Sequence, residues 1–300
     1  MWYSYEFKPN LFYLTNPLVI LSLVLGWIFL ALLFNHPLYI VTIFIMVNLT
    51  IVGAGNGKRL LVQLRYALPF VLIIVLINAL FNQNGSTLLL SYNLASFTFN
   101  IYWESIVYGG VAGLKLLAII TAFTFYAAVI NPDEVLYLAR RLGQEISLII
   151  NLSFRLFPLI WSDYVRIREI QKHRKPIELD DGQISKIQNR VPTLSILLTN
   201  SLNRSLKTAE SLYSRGYGSG KYSTYQQLEW RSSDYLLMAN TIIMIALALG
   251  LQVKGLGIYS YYPSLDSFSL LNYRASLVLA LLLSFPLLCN GSGILWHYLK

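Results

Sequence analysis

Charge is scarce in this chain. Asp, Glu, Lys and Arg make up 12% of its 300 residues, about half the share found in a soluble domain, while 56% are hydrophobic. That balance excludes a soluble globule and a disordered chain. The single cysteine, Cys289, lies in an apolar run, which excludes a disulfide framework and a thiolate metal site. His36, His173 and His297 are more than a hundred residues apart in sequence and show no ligand spacing, so no metal and no cofactor is expected. The first apolar run has neither a basic start nor a small-residue cleavage site, so it does not read as a cleaved signal.

The charge that is present is unevenly placed. None occurs from Pro9 to Gly57 or from Tyr66 to Trp103, and Lys115 is alone between Glu104 and Asp133. From Tyr235 onward there are four: Lys254, Asp266, Arg274 and Lys300. The stretch Arg140–Arg231 holds 15 Lys/Arg against 8 Asp/Glu, or +7 of the total +9. In a membrane chain such an excess reads as basic residues retained in the cytoplasm and drawn to anionic lipid, not as nucleic-acid binding. The expected fold class is an all-α polytopic membrane protein with one basic aqueous insertion. Residues 1–145 form a first membrane region of four spans, 146–234 an interfacial and cytoplasmic region, and 235–300 a second membrane region of two spans.

Six segments are candidates for crossing a bilayer, which takes about 20 apolar residues: Pro17–Phe34, Leu38–Val52, Tyr66–Phe81, Ser105–Ile130, Tyr235–Val253 and Leu271–Asn290. Asn35-His36-Pro37 separates the first two as a tight turn. The linker Gly53–Arg65 carries Lys58, Arg59 and Arg65 and reads as cytoplasmic, whereas Asn82–Trp103 has no Lys or Arg and reads as an external loop. Six crossings place both termini inside. Ile146–Ser162 is apolar, but it has basic flanks on both sides and contains Arg155 and Pro158; it is expected as a helix lying in the cytoplasmic interface.

Within the insertion, Ile184, Ile187, Val191, Leu194, Leu198, Leu202, Leu206, Ala209 and Leu212 recur at a mean spacing of 3.5. They predict one amphipathic helix about 45 Å long, with Asn200, Arg204, Lys207, Ser211 and Arg215 on the opposite ridge. A preceding helix, from about Pro158, is expected to stop near Arg174 because Pro176 disfavours helix at Lys175. The second stops at Ser214-Arg215-Gly216, where glycine suits a left-handed cap. Two helices thus each finish on an arginine. A terminal cation is favoured by the helix dipole by about 0.3–1 kcal/mol, so a purely structural reading is also open.

Two tempting features carry no chemistry. Gly53-Ala54-Gly55-Asn56-Gly57-Lys58-Arg59 lacks the Ser/Thr and the distant glycine of a phosphate loop. Lys115, inside a span and preceded by Gly109, Gly110 and Gly113, reads equally as a functional intramembrane charge or as a snorkelling one.

At the two helix ends the chain resembles the transmembrane T component of energy-coupling-factor (ECF) vitamin and metal importers, the cobalt-permease-Q-like family. Ala209 to Gly218 is similar to the family's second Ala-Arg-Gly-type motif, with Ser214 where alanine is usual. Gln171-Lys172-His173-Arg174-Lys175 keeps only the arginine of the first. Leu152–Leu159, Val191–Ala209, Asn16-Pro17, His36-Pro37-Leu38 and Leu64–Pro69 match other family segments in order. The resemblance implies a non-catalytic scaffold in the cell membrane, with both termini and residues 163–234 cytoplasmic. Its coupling helices would dock on two cytoplasmic ABC-type ATPases through Arg174, Ser214, Arg215 and Gly216, and its membrane surface would hold a small membrane S component. The family's cargo is a vitamin or a transition-metal ion, and ATP hydrolysis belongs to the partner chains. From the residues alone, a secondary transporter with its own substrate site is the alternative. A membrane-embedded enzyme is third. Against these stand the lack of internal repeats and of a His, Asp, Glu or Cys cluster near a span end.

Overall fold

Proline opens both short helices of the amino-terminal half, at the one helical position where its missing N–H costs nothing. After a single turn, α1 (Leu11–Leu14), come α2 (Pro17–Leu33) and α3 (Pro37–Gly53). Asn16 Oδ1 accepts from Leu18 N–H at 3.1 Å and His36 Nδ1 accepts from Leu38 N–H at 3.3 Å, so each helix has a side-chain cap. The chain continues through α4 (Gly57–Phe81), β1 (Leu88–Leu94), β2 (Phe97–Tyr102), α5 (Trp103–Val129), α6 (Gln144–His173), α7 (Val191–Ser214), α8 (Ser232–Val253) and α9 (Leu270–Tyr298). The computed structural model describes residues 11–82, 85–94, 97–130, 144–173, 191–219, 230–267 and 269–298. It divides into two compact units, Met1–Val135 with Leu228–Lys300, and Leu136–Gln227.

All six expected spans are helical, with corrections of extent. α4 starts at Gly57, not Tyr66, so Lys58, Arg59 and Arg65 belong to the helix. Only residues 54–56 remain of the expected linker. There Gly55, at φ 77°, closes α3: its N–H donates to Val52 C=O and that of Asn56 to Ile51 C=O. This paired pattern is the Schellman stop. The stretch that mimicked a phosphate loop is thus one helix ending and another beginning. By length and composition α4, α5, Leu148–Gln171 of α6, α8 and Leu270–Asn290 of α9 can cross a membrane. α2 and α3 have 17 residues each, about 25 Å, and fall short of a hydrocarbon core of about 30 Å.

The expected external loop Asn82–Trp103 is largely a hairpin. β1 and β2 pair antiparallel, with Ser91 opposite Asn100 and Tyr92 opposite Phe99. Phe97, Phe99 and Ile101 alternate with Thr98 and Asn100, the period-two pattern of a strand.

In the first unit α5 packs against α2, α3 and α4, while α8 packs on α2 and α9 on α3. Trp27 and Phe12 each hold their ring 5.3 Å from that of Phe125 at the centre. Polar side chains fix the ends. Asp234, fully buried, accepts from Asn16 and Arg231 N–H. Asn290 accepts from Leu11 N–H and donates to Gly53 C=O. At the opposite end Lys115 Nζ donates to Asn35 Oδ1 at 3.0 Å, so this intramembrane cation secures the α2–α3 turn. Tyr261 O–H donates to the carbonyl of the same Asn35. On the other side of its ring, His36 Nε2 lies 3.0 Å from Asn272 Nδ2, which ties this turn to the start of α9.

The second unit contains α6 and α7. The expected division between an interfacial Ile146–Ser162 and a helix from about Pro158 does not occur: α6 runs unbroken with Pro158 inside it. Its helix-forming neighbours outlast the one backbone hydrogen bond that proline removes.

Candidate functional site

α7 has two unlike faces. Val191, Leu194, Leu198, Leu202 and Leu206, the apolar stripe read from the sequence, are each 56–63% exposed. The less exposed row is Thr193, Leu197, Ser201, Arg204, Thr208 and Leu212, and it is this row that meets α6. Thr193 O–H donates to Gln171 Oε1. Arg204 Nη2 donates to Asp163 Oδ2 at 2.8 Å in a partly buried ion pair. Moving forward along α7 from Thr193 to Arg204 moves backward along α6 from Gln171 to Asp163, so the helices run antiparallel. Arg204, read from sequence as part of an open polar ridge, is a bond within the unit. One signal could have found it: Asp163 is the only acid between Glu145 and Glu169.

α6 is exposed in the same manner. Ile149, Phe154, Phe157, Trp161 and Ile170 stand open, while Ile167 is buried between Asp163 and Gln171. As described, α7 is about 36 Å long. Ile184 and Ile187, the first two positions of the predicted stripe, lie outside the described residues.

The end of α7 is built by its backbone. Gly216 has φ +76°; its N–H donates to Tyr213 C=O at 2.9 Å, and Tyr217 N–H donates to Leu212 C=O at 3.0 Å. These are the two bonds of a Schellman motif, and the left-handed position between them favours glycine. Arg215, directly before it, is exposed and has no ion pair among the described residues. Ser214 is spent locally, its hydroxyl donating to Ser211 C=O at 3.0 Å. Tyr213, two residues before Arg215, is 84% exposed. Arg174 lies outside the described residues, one position beyond the last residue of α6.

Among the described residues no three His, Cys, Asp or Glu side chains gather as metal ligands. What the end of α7 presents is an exposed guanidinium and an exposed phenol, beyond an uncovered apolar row. Arginine and tyrosine are the side chains that most often anchor protein interfaces, and a guanidinium fork can grip a carboxylate with two hydrogen bonds.

Comparison with known proteins bears on the same residues. Residues 11–225 match the CbiQ family, described as cobalt transport protein. Over 106 residues the chain is 34% identical to the energy-coupling factor transporter transmembrane protein EcfT of Lactococcus lactis subsp. cremoris, covering 35% of this chain and 40% of that protein. It is 37% identical over 111 residues to the protein of the same name from Streptococcus thermophilus, covering 36% and 40%. The EcfT protein of Listeria innocua is 24% identical over 195 residues, covering 61% and 72%. The chain thus spans 40% of the length of the first two relatives.

Proposed function

The chain belongs to the CbiQ cobalt transport protein family, and on that premise we propose that it is the transmembrane T component of an ATP-driven ECF-type importer. In this reading it is a non-catalytic scaffold in the cell membrane. Residues 1–145 and 235–300 form the membrane regions, with both termini inside. α6 and α7 belong to the interfacial and cytoplasmic region 146–234 and serve as coupling helices. Two cytoplasmic ABC-type ATPases dock on Arg174, Ser214, Arg215 and Gly216, and a small membrane S component supplies the binding site for a vitamin or a transition-metal ion.

The observation that carries this reading is α7 itself. Its apolar row is uncovered by α6, and its last turn ends in a locked cap that holds Arg215 outward. An apolar row open to water costs free energy in proportion to its area, so a helix of this kind calls for a lipid or protein surface. Glycine at position 216 fixes where Arg215 stands, and each helix would move as a rigid rod with whatever it docks on.

Arg215→Glu tests the proposal. Coexpressed with its neighbouring ATPases, the variant is expected to lose copurification while keeping the helical content and elution volume of the parent. A desolvated arginine–carboxylate contact is worth roughly 2–5 kcal/mol on truncation, enough to abolish recovery. Arg174→Glu is expected to act in the same direction. Normal ATPase recovery by the double variant would overturn the docking assignment.

A further inference from the structure

Residues 254–267 follow α8 and lead toward α9, and they grip two other connections of the first unit. On one side is the α2–α3 turn. Asn35 N–H donates to Gly257 C=O at 3.1 Å, and Tyr261 O–H donates to Asn35 C=O at 2.6 Å. On the other side is the passage from α4 to β1. Ser86 N–H donates to Pro263 C=O at 3.0 Å, and Asn82 Nδ2 donates to the Tyr262 hydroxyl at 2.7 Å. The adjacent tyrosines thus serve different sides. Tyr108 of α5 meets both, its ring 5.2 Å from that of Tyr261 and 5.9 Å from that of Tyr262.

The segment is stiff where it grips and jointed where it starts. Ser260 N–H donates to Asp266 Oδ2 at 2.9 Å and Asp266 N–H to Ser260 C=O at 3.2 Å, which closes residues 260–266 into a ring holding both tyrosines. Tyr259 O–H adds a bond to Asp266 C=O at 2.8 Å. Before the ring, Gly255 ends α8 at φ 73°, in the left-handed region that favours glycine. Gly257 then lies so close to α2 that a Cβ there would stand 2.7 Å from Phe34 Cδ1. The far anchor is firm as well. The Ser86 and Thr87 hydroxyls donate to Glu104 Oε1 of α5 at 2.9 and 2.8 Å, so whatever holds Ser86 also holds the start of α5.

We propose that residues 254–267 are a latch through which the α2–α3 turn and the α4–β1 passage open and close together. A stiff ring with its grips on consecutive residues leaves both sides as one piece, turning about Gly255. Closed, as here, it ties the start of α5 and the base of the hairpin to the α2–α3 turn. Its release breaks a small set of hydrogen bonds and ring contacts and leaves the apolar core intact, which is the pattern of a sub-global opening. The inference rests on the first unit alone and stands whether or not the chain docks ATPases.

The test is hydrogen exchange of the full chain in detergent, read by mass spectrometry with fragmentation to single amides. Asn35 N–H and Ser86 N–H report the two sides, because each donates to a carbonyl of the latch. Tyr261→Phe removes a grip on Asn35 alone, yet it should speed exchange at both amides by roughly fivefold, the equivalent of one lost hydrogen bond. Tyr262→Phe removes a grip on the α4 side alone and should do the same. Gly257→Ala, which touches neither tyrosine, should push the segment off Phe34 and speed both amides together. Amides of α2 around Trp27 should keep the parent's rate in all three variants. Faster exchange only on the side that lost its bond would overturn the proposal. So would unchanged exchange at both reporters, or a rise throughout α2, which would mean general loosening.

Discussion

The two units of this chain make different use of their apolar side chains. In the first, Trp27, Phe125, Leu30 and Ile43 are enclosed among α2, α3, α5, α8 and α9. Polar groups such as Asp234 and Asn290 hold the helix ends. In the second, α6 and α7 meet through Thr193, Gln171, Asp163 and Arg204, with Ile167 buried among them, and leave Leu194, Leu198, Leu202 and Leu206 of α7 and Phe154, Phe157 and Trp161 of α6 exposed. The difference teaches what each contact is for. Tight apolar packing gives a core its stability, and even one removed methylene is felt there. A partly exposed ion pair contributes little, about 0–1 kcal/mol, but it sets the register of two helices and leaves their apolar rows available to another surface.

The sharpest way to break this contrast is to truncate one large apolar residue in each unit. Phe125→Ala removes the ring that Phe12 and Trp27 pack against and is expected to cost about 3–5 kcal/mol. Leu202→Ala in α7 should change stability by less than about 0.5 kcal/mol, as for an open surface site. Thermal unfolding of the two purified variants reads both; equal losses would mean that the leucine row has an internal partner. Next in size is Gly113→Leu, which drives a side chain into Val71. Overpacking of this kind costs about 1–3 kcal/mol, and the same unfolding assay should show it, with Gly110→Leu nearly silent because a Cβ there meets open space.

A smaller effect is expected from Asp163→Ala. Loss of the Arg204 partner should weaken α6–α7 pairing by about 1 kcal/mol, seen as roughly fivefold faster amide exchange across residues 197–208. Unchanged exchange would mean the bridge contributes nothing to register. Smallest is a pH effect at His36. Burial lowers its pKa from 6.5, with Asp266 opposing in part. The unfolded chain therefore binds the proton more readily than the folded one. Stability is full above about pH 6.5 and declines as pH falls below it. His36→Asn keeps an acceptor for Leu38 N–H, and it should flatten the dependence of the unfolding temperature on pH between 7.5 and 5. An unaltered slope would place the titration elsewhere.

Much of the architecture was legible in the residues. Apolar runs poor in charge located six helices, four of them long and apolar enough to cross a membrane, because a segment in hydrocarbon cannot carry many ions. Ser214-Arg215-Gly216 announced a helix stop, because the left-handed backbone there favours glycine. Other features escaped. α4 starts nine residues earlier than its apolar run, since a backbone hydrogen-bond ladder continues past the point where the side chains turn basic. In the hairpin, the lack of Lys and Arg marks an external loop, and the period of two that marks a strand is confined to a few residues, Phe97 to Ile101.

Sequence by itself determined that this is a membrane chain, where its apolar runs lie, and which row of α7 is apolar, because each of those is a local property of spacing and composition. Tertiary structure alone decided which faces are occupied. The same 3.6-residue repeat that produces an apolar row cannot say whether a neighbour covers it. Only the placement of Asp163 opposite Arg204 decides which face of α7 meets α6, and only the crossing of α4 and α5 sets Gly109 and Gly113 against Val75 and Val71. Pairings between residues 41 apart in sequence depend on how helices cross, and no local periodicity encodes that.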